Sequence, residues 1–214
     1  HVEQGSKVKF LDREVRVGPD GLFVVGFGRD FSSTAVITVV GPSGGMVSHT
    51  FPIKQRQYKI QRIDGLPSKM VTPGRDALAR IKRENNLIAK ARNRDTPEPH
   101  FLQGFVWPVI GPVSGVYGSQ RILNGLPRRP HFGVDVAMPE GTLVRVAAAG
   151  TVVLAEKDLY FTGGTLIVDH GHGISSLYMH LKSLGVGAGD ILAQGDPIAK
   201  IGRTGRATGP HLDW

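Results

Sequence analysis

Short apolar runs separated by Gly- and Pro-rich turns dominate the first 65 residues. Leu22–Phe27 and Ala35–Val40 are rich in β-branched and aromatic residues, and residues 51–60 alternate between apolar and polar. Such runs are typical of short strands, because side chains of a strand point alternately to its two faces. The pattern predicts a small, immunoglobulin-like β-sandwich in a domain spanning residues 1–70.

The spacing of apolar residues along the chain changes after residue 70. Thr72 followed by Pro73 is typical of a helix N-cap and first helical position. From there to about Arg94, apolar residues recur at helical spacing, namely Leu78, Ile81, Leu87, Ile88 and Ala91. The Pro-containing run 95–99 ends this helix, so residues 71–100 are predicted to be a helix and linker.

A second β pattern begins at Phe101. Strands are predicted over residues 142–148, 151–155, 165–169 and 174–180, with Gly-rich turns between them. Their spacing of about ten residues suits an antiparallel sheet rather than βαβ units. The chain is therefore predicted to be mainly β. A small β-sandwich and a linking helix precede an antiparallel β-sheet domain over residues 101–214.

Composition restricts the available chemistry. The 214 residues include no cysteine, so any metal site must use His and carboxylate ligands. The net charge of +8 comes mainly from residues 51–100, which hold 12 basic and 5 acidic residues. This basic excess is interpreted as a solvated helix face. It lacks the aromatic pattern expected of a nucleic-acid-binding surface. No apolar run reaches the roughly 18 to 20 residues of a membrane span, so an integral membrane protein is not expected.

Three separated sites supply candidate metal chemistry: His131 with Asp135, then His180, then His211 with Asp213. Two donors on one zinc lie about 3 to 3.5 Å apart, whereas strand residues four apart are separated by roughly 13 Å. The chain must therefore bend between the first pair, and Gly133 permits a bend.

Residues two apart on a strand share a face, so His211 and Asp213 can reach one pocket. Each site alone is common by chance. Together, the three imidazoles and two carboxylates suit metal-assisted hydrolysis. A fourth histidine, His170, is expected to have a structural role in its Gly-rich turn, and His172 is expected to have none.

A series of short motifs runs through the C-terminal half, in chain order His131-x-x-x-Asp135, Pro139-x-Gly141-Thr142, Ala148-x-Gly150-x-Val152, Asp169-His170-Gly171-x-Gly173, Leu177-Tyr178-x-His180-Leu181, Gly189-Asp190 and Gly202-x-Thr204-Gly205-x-x-Thr208-Gly209-Pro210-His211-Leu212. Through these motifs the stretch from about Trp107 to Trp214 resembles the lysostaphin/LytM-type zinc metalloendopeptidases, which cut peptidoglycan peptides. The N-terminal half resembles, less distinctively, the β-domain that precedes such peptidases in Gram-negative bacteria.

The resemblance implies one zinc ion with His131 and Asp135 as ligands. It also implies that His180 and His211 are unligated, orienting the attacking water and stabilising the oxyanion. The family's third ligand is normally a second His, and here that position holds Asp213. Two interpretations follow. The domain is either a zinc endopeptidase or a degenerate, non-catalytic peptidoglycan-binding or amidase-activating factor.

The same resemblance implies a peptidoglycan peptide as the partner, and export to the periplasm or cell envelope of a Gram-negative bacterium. Nucleic acid is not expected as a partner, and the oligomeric state is left open. The last motif runs directly into Trp214. The native chain is therefore expected to continue with further strands of this domain.

Overall fold

The computed structural model describes residues 1–65 and 74–214, which form two compact units, His1–Gln57 and Tyr58–Trp214. The division at residues 70 and 100 inferred from the sequence stays a prediction. In the described residues the fold is mainly β, as predicted.

A four-stranded antiparallel sheet forms the N-terminal unit, in the order β2-β1-β3-β4. Its strands are β1 (Lys7–Phe10), β2 (Arg13–Val15), β3 (Thr34–Val40) and β4 (Met46–Pro52). Alternation along β1 and β3 places Val8, Phe10, Ala35 and Ile37 in one buried cluster.

The strand predicted over Leu22–Phe27 is wrong, because that segment has no strand pairing. Its side chains Phe23 and Val25 nevertheless pack against the cluster around Val8. The apolar run correctly predicts that these side chains are buried. Burial alone, however, does not require the backbone to pair with a neighbouring strand. The alternation over residues 51–60 is likewise strand only to Pro52 and again from Ile60.

One α-helix is described, α1 (Arg75–Arg92), with Gly74 at its N-cap. The predicted cap at Thr72 and Pro73 lies outside the described residues. Ala91 is buried against Leu154 and Ile167 of the C-terminal sheet. Leu78 and Leu87, which were predicted to lie on the apolar face, are exposed. The helix thus buries a narrower stripe than its sequence pattern suggested.

The C-terminal unit is built on a nine-stranded sheet whose main path runs β14-β11-β12-β13-β16-β9-β6. Strand β15 pairs with β13 and with β10, off this path. The strands are β6 (Val113–Gly115), β9 (Asp135–Ala137), β10 (Leu143–Arg145), β11 (Gly150–Leu159), β12 (Gly163–Gly171), β13 (Ile174–Leu184), β14 (Ile191–Leu192), β15 (Pro197–Ile201) and β16 (His211–Asp213). All pairs in this sheet are antiparallel, as predicted.

A smaller sheet joins β5 (Ile60–Ile63), β7 (Gln120–Leu123) and β8 (Leu126–Pro127). Its β5–β7 pair is parallel, which the sequence pattern did not reveal. A 3-10 turn over His100–Gln103 precedes the large sheet in the chain. Within the described ranges, no helix combines the length and apolar character needed to cross a membrane.

The core of the C-terminal unit contains a row of polar side chains in hydrogen-bonding contact as well as aliphatic side chains. The Tyr178 hydroxyl accepts a hydrogen bond from the backbone N–H of Ala147 at 2.8 Å and contacts Ser176 Oγ at 3.0 Å. Ser176 Oγ in turn lies 2.7 Å from His170 Nε2. Since Tyr178 and His170 are fully buried, each needs these partners to offset its desolvation.

Candidate metal centre and active site

Three side chains from two distant parts of the sequence meet at one point. His131 Nε2 lies 3.2 Å from Asp135 Oδ1 and 3.1 Å from Asp213 Oδ1. Ligand atoms of the three residues all lie within 4.8 Å of one another. The structure therefore brings together all three residues that were predicted as metal ligands.

Strand pairing explains how the two carboxylates meet. Asp135 begins β9 and Asp213 ends β16, and the antiparallel register sets these residues directly opposite each other. Residues so paired have Cα atoms about 4.5 to 5.5 Å apart. Strand β16 also pairs with β13 through Met179 and Asp213. This places the site next to the strand that carries His180.

Two glycines make room for the carboxylates. A Cβ added to Gly133 would overlap Asp213 Oδ1, and one added to Gly115 would overlap Asp135 Oδ2. Gly133 was predicted to permit a bend, but the structure gives the need for space as a further reason. Gly115, on the neighbouring strand β6, was missed, since nothing in its sequence context connects it to Asp135.

His180 and His211 lie beside the three ligand candidates. Their rings are 4.6 Å apart between centroids, and His211 Nε2 lies 3.9 Å from Asp135 Oδ1. His180 Nδ1 lies 2.8 Å from the carbonyl oxygen of Thr204, and His211 Nδ1 lies 2.8 Å from that of Gly209. A carbonyl only accepts, so each Nδ1 carries the proton. In the neutral imidazole this leaves Nε2 with a free lone pair.

The backbone of His180 is held in an uncommon conformation. Its φ is +61°, in the left-handed region that non-glycine residues rarely adopt. Such a conformation costs roughly 1 to 3 kcal/mol and persists where surrounding structure enforces it, often at functional sites. Hydrogen bonds from the His180 N–H to Thr162 and from its Nδ1–H to Thr204 supply that constraint here.

The electrostatics of the site are set by its two carboxylates. Asp135 first and Asp213 second raise the pKa of His131 to about 10, against the opposing effect of burial. Burial alone would raise the pKa of the Asp135 carboxyl, but the neighbouring His131 outweighs it, so the net shift is downward. Burial is also the main cause that lowers the pKa of His180, which favours its neutral form.

A single cation fits this arrangement. His131 Nε2, Asp135 Oδ1 and Asp213 Oδ1 are buried, face one another, and have no further hydrogen-bond partner within the described part of the chain. Donor separations of 3.1 and 3.2 Å match those of two ligands that share one zinc at bond lengths of about 2.0 to 2.2 Å. The residues present thus form a His/Asp/Asp candidate metal site.

The other two histidines of the segment lie elsewhere. His170 is buried, with Nδ1 2.6 Å from the Ala149 carbonyl oxygen and Nε2 2.7 Å from Ser176 Oγ, which fits the predicted structural role. The His172 ring lies 3.0 Å from the carbonyl oxygen of Pro97. It therefore contacts the run over residues 95–99 that the sequence analysis assigned to a linker.

Comparisons with known proteins identify relatives of the part of the chain that carries this site. Residues 129–214 match the family model for Peptidase family M23. An 85-residue segment is 39% identical to the peptidoglycan DD-endopeptidase ShyA of Vibrio cholerae, covering 40% of this chain and 20% of that protein. A 106-residue segment is 39% identical to the murein hydrolase activator EnvC of Escherichia coli, covering 50% of this chain and 24% of EnvC.

The crystal structure of a candidate M23 peptidase from Pseudomonas aeruginosa superposes with a TM-score of 0.77 at 29% identity, covering 99% of this chain and 83% of the other. The fold is a mainly β domain with a His/Asp/Asp candidate metal site. Its C-terminal part, residues 129–214, matches peptidase family M23 and is similar to the LytM/lysostaphin type of that family. It aligns with only about a fifth to a quarter of the length of ShyA and EnvC.

Proposed function

We propose that this protein is a zinc-dependent endopeptidase that hydrolyses stem or cross-link peptides of peptidoglycan. The observation that carries the proposal is the set of three buried ligand atoms on His131, Asp135 and Asp213 that face one another, with two further imidazoles beside them. Similarity to ShyA, a peptidoglycan DD-endopeptidase, supports the substrate class. When bound by these residues, zinc supplies Lewis acidity that polarises a water and the scissile carbonyl.

His180 is the better placed general base. Burial lowers its pKa and thereby favours the neutral ring, and its Nδ1–H is fixed on the Thr204 carbonyl. Nε2 is then the nitrogen with a free lone pair, as acceptance of a proton from water requires.

His211 is assigned to the oxyanion. Its Nδ1–H is held by the Gly209 carbonyl, so it can donate from Nε2 only when the ring is doubly protonated. His211 Nε2 lies 3.9 Å from Asp135 Oδ1 and therefore faces the candidate metal centre. An N–H donor at this position would stabilise the negative charge that develops on the reacting carbonyl.

Asp213 makes the proposed centre more anionic than a site with two His ligands. A second carboxylate lowers the effective charge of the metal, so the bound water becomes a weaker acid. We infer a slower enzyme than one with His at this position, with hydrolysis retained because the other four site residues are present.

The test combines zinc content with digestion of purified peptidoglycan. We expect one zinc per chain and release of cleaved peptides, with both lost in His131→Ala. His180→Ala should keep zinc but lower the hydrolysis rate by roughly 10² to 10⁴. His172→Ala, a histidine outside the site, serves as the matched control. Wild-type protein that neither retains zinc nor releases peptides would refute the proposal.

A second function has specific support. Asp213 stands where the resemblance implies a His ligand, and a segment of the chain resembles EnvC, a murein hydrolase activator. A non-catalytic factor would gain zinc affinity or activity from near zero in Asp213→His. An enzyme would show activity before the change as well, so the wild-type baseline separates the two functions.

Both functions place the protein in the cell envelope. We propose that it is exported to the periplasm of a Gram-negative bacterium, in line with the bacterial cell-wall proteins that it resembles. Fractionation of cells that express the full-length protein tests this location, and recovery in the cytosolic fraction would contradict it.

A further inference from the structure

Strand β4 forms an open edge of the N-terminal sheet. Within the described residues it pairs with β3 alone, since the sheet runs β2-β1-β3-β4. All seven residues of β4 are exposed, and Met46, Val47 and Phe51 are 71%, 56% and 45% exposed. Proteins that stay monomeric commonly protect such an edge with charged side chains, a bulge or a covering loop. Strand β4 contains no Asp, Glu, Lys or Arg, so its own side chains provide no charge to prevent pairing.

The backbone groups of β4 that face outward can be assigned from the hydrogen bonds at the two ends of the β3–β4 hairpin. The Gly41 N–H donates to the Gly45 carbonyl at 2.8 Å, and the Ile53 N–H donates to the Ser33 carbonyl at 2.7 Å. Hydrogen-bonded and non-bonded pairs alternate along an antiparallel ladder. Counting in steps of two from either bond gives the residues whose backbone groups face β3, namely Val47, His49 and Phe51. The residues whose backbone groups face outward are therefore Met46, Ser48, Thr50 and Pro52.

The side chains of β4 have the same order of chemical types in both directions. His49 is flanked by two hydroxyl residues, Ser48 and Thr50, and beyond them lie two large apolar residues, Val47 and Phe51. A second β4 that ran antiparallel, with His49 opposite His49, would set hydroxyl against hydroxyl and Val47 against Phe51. Hydroxyl pairs and aromatic–β-branched pairs are favourable cross-strand contacts. Although the chain carries a net charge of +8, this pairing would bring no Lys or Arg of one strand against the other.

The same register also satisfies the outward backbone groups. Ser48 of one copy and Thr50 of the other would form hydrogen-bonded pairs, because both direct an N–H and a C=O outward. The Met46 N–H would meet the carbonyl of Pro52, and Pro52 needs no acceptor because proline has no N–H. His49 would lie on the two-fold axis as a non-bonded pair, with Cα atoms about 4.5 Å apart. One register therefore fits both the backbone and the side chains.

An open cavity beside β4 offers space for an apolar side chain. Its volume is about 240 Å³, and its lining includes Val39, Val47 and His49. Phe51 lies on the same face of the sheet, since it pairs with the buried Ala35 in the register that pairs Val39 with Val47. In the symmetric arrangement, Phe51 of one copy would stand next to Val47 of the other and so beside the cavity. The two-fold axis repeats this contact on the second copy.

We propose that two copies of this chain pair through β4 in an isologous dimer, which joins their four-stranded sheets into one. The occupant of the edge is a second copy because β4 complements itself in side-chain type, in charge and in backbone groups. The cavity that would receive Phe51 belongs to the same chain. The inference does not depend on the proposed function, since it uses no residue of the candidate metal centre.

Light scattering on the full chain measures its molar mass as a function of concentration. We expect the mass to rise from the 23.0 kDa of one chain toward twice that value. His49→Lys should move this transition to concentrations roughly fivefold higher or more, because like charges would then stand directly opposite each other. Val36→Lys is the matched control. It adds the same charge at an exposed apolar residue of β3, on the face opposite Val39, and should leave the transition unchanged.

A mass of one chain at every concentration would overturn the proposal. It is the result expected if the edge binds only a peptide of another protein. A dimer that responds equally to His49→Lys and Val36→Lys would also overturn it, because the two copies would then meet at some other surface.

Disulfide cross-linking tests the register without relying on a destabilised variant. The chain has no cysteine, so a single introduced cysteine can form a disulfide only between copies. His49→Cys should cross-link readily, because Cα atoms about 4.5 Å apart are within disulfide range. Val47→Cys alone should not, since the two cysteines would lie roughly 13 Å apart along the strand. Combining Val47→Cys with Phe51→Cys should restore the cross-link. Absence of cross-linking in His49→Cys, or equal cross-linking by Val47→Cys alone, would overturn the proposed dimer.

Discussion

Zinc uptake at the His131 centre should release a proton and should therefore strengthen as pH rises. Asp135 and Asp213 raise the pKa of His131 to about 10, so the metal-free imidazole is protonated at neutral pH. A metal binds only the neutral ring, so the proton must leave when the ion enters. Zinc affinity should therefore fall as pH falls, since the raised pKa of His131 favours the protonated, metal-free form at lower pH.

The pKa of His131 sets the free energy needed to remove its proton before zinc binds. Each pH unit below that pKa costs about 1.4 kcal/mol, so at pH 7 proton removal opposes zinc binding by about 4 kcal/mol. Apparent zinc affinity should rise about tenfold per pH unit, or about 100-fold from pH 6 to pH 8. The same shift stabilises the metal-free fold. That contribution is full below the ordinary histidine pKa of 6.5 and is lost as pH rises toward 10.

Titration calorimetry in buffers of different ionisation enthalpy measures the released protons, and competition with a chelator measures affinity. We expect close to one proton per zinc at pH 7. Asp213→Asn should release fewer protons per zinc, because it lacks one of the two carboxylates that raise the pKa of His131. It should also bind zinc more weakly. His49→Ala, on β4 of the N-terminal unit, is the control. A zinc affinity independent of pH between 6 and 8 would refute the reasoning.

Three further predictions follow from individual contacts. Gly133→Ala should lower zinc affinity at least tenfold in the same competition assay, because its Cβ would displace the Asp213 carboxylate, whereas Gly26→Ala enters open space and should bind zinc normally. Tyr178→Phe should destabilise the fold by about 1 to 3 kcal/mol in urea unfolding, since it leaves a buried N–H unpaired; an unchanged midpoint would contradict this. Because burial lowers the pKa of His180, kcat should stay high when pH falls through 6.5, and a decline centred above 6.5 would speak against His180 as the base.

Much of the fold could be inferred from local pattern. Strands β11, β12 and β13 appear where β-branched runs and Gly-rich turns predicted them, although each extends further than its apolar run. The error at Leu22–Phe27 has a physical cause. An apolar run records that side chains are buried, but strand pairing also needs a neighbouring backbone with free hydrogen-bonding groups, which no local pattern records.

The residues of the candidate site were predicted from the sequence, but the contacts that hold them in place were not. Motif order identified the three ligand candidates and the two free histidines through a family resemblance. The role of Gly115 was not predicted. It leaves room for the Asp135 carboxylate on a neighbouring strand, and nothing in its own sequence context connects it to that residue.

The sequence by itself determined the mainly β architecture, the exclusion of thiolate ligands and the chemical types available for a metal. Tertiary structure alone decided that Asp135 and Asp213 face each other, because the register of β9 against β16 is a long-range pairing. It also decided that three buried ligand atoms face one another with no further partner within the described residues. Local propensities act over a few residues, whereas distances between atoms 80 positions apart depend on how the whole sheet closes around its core.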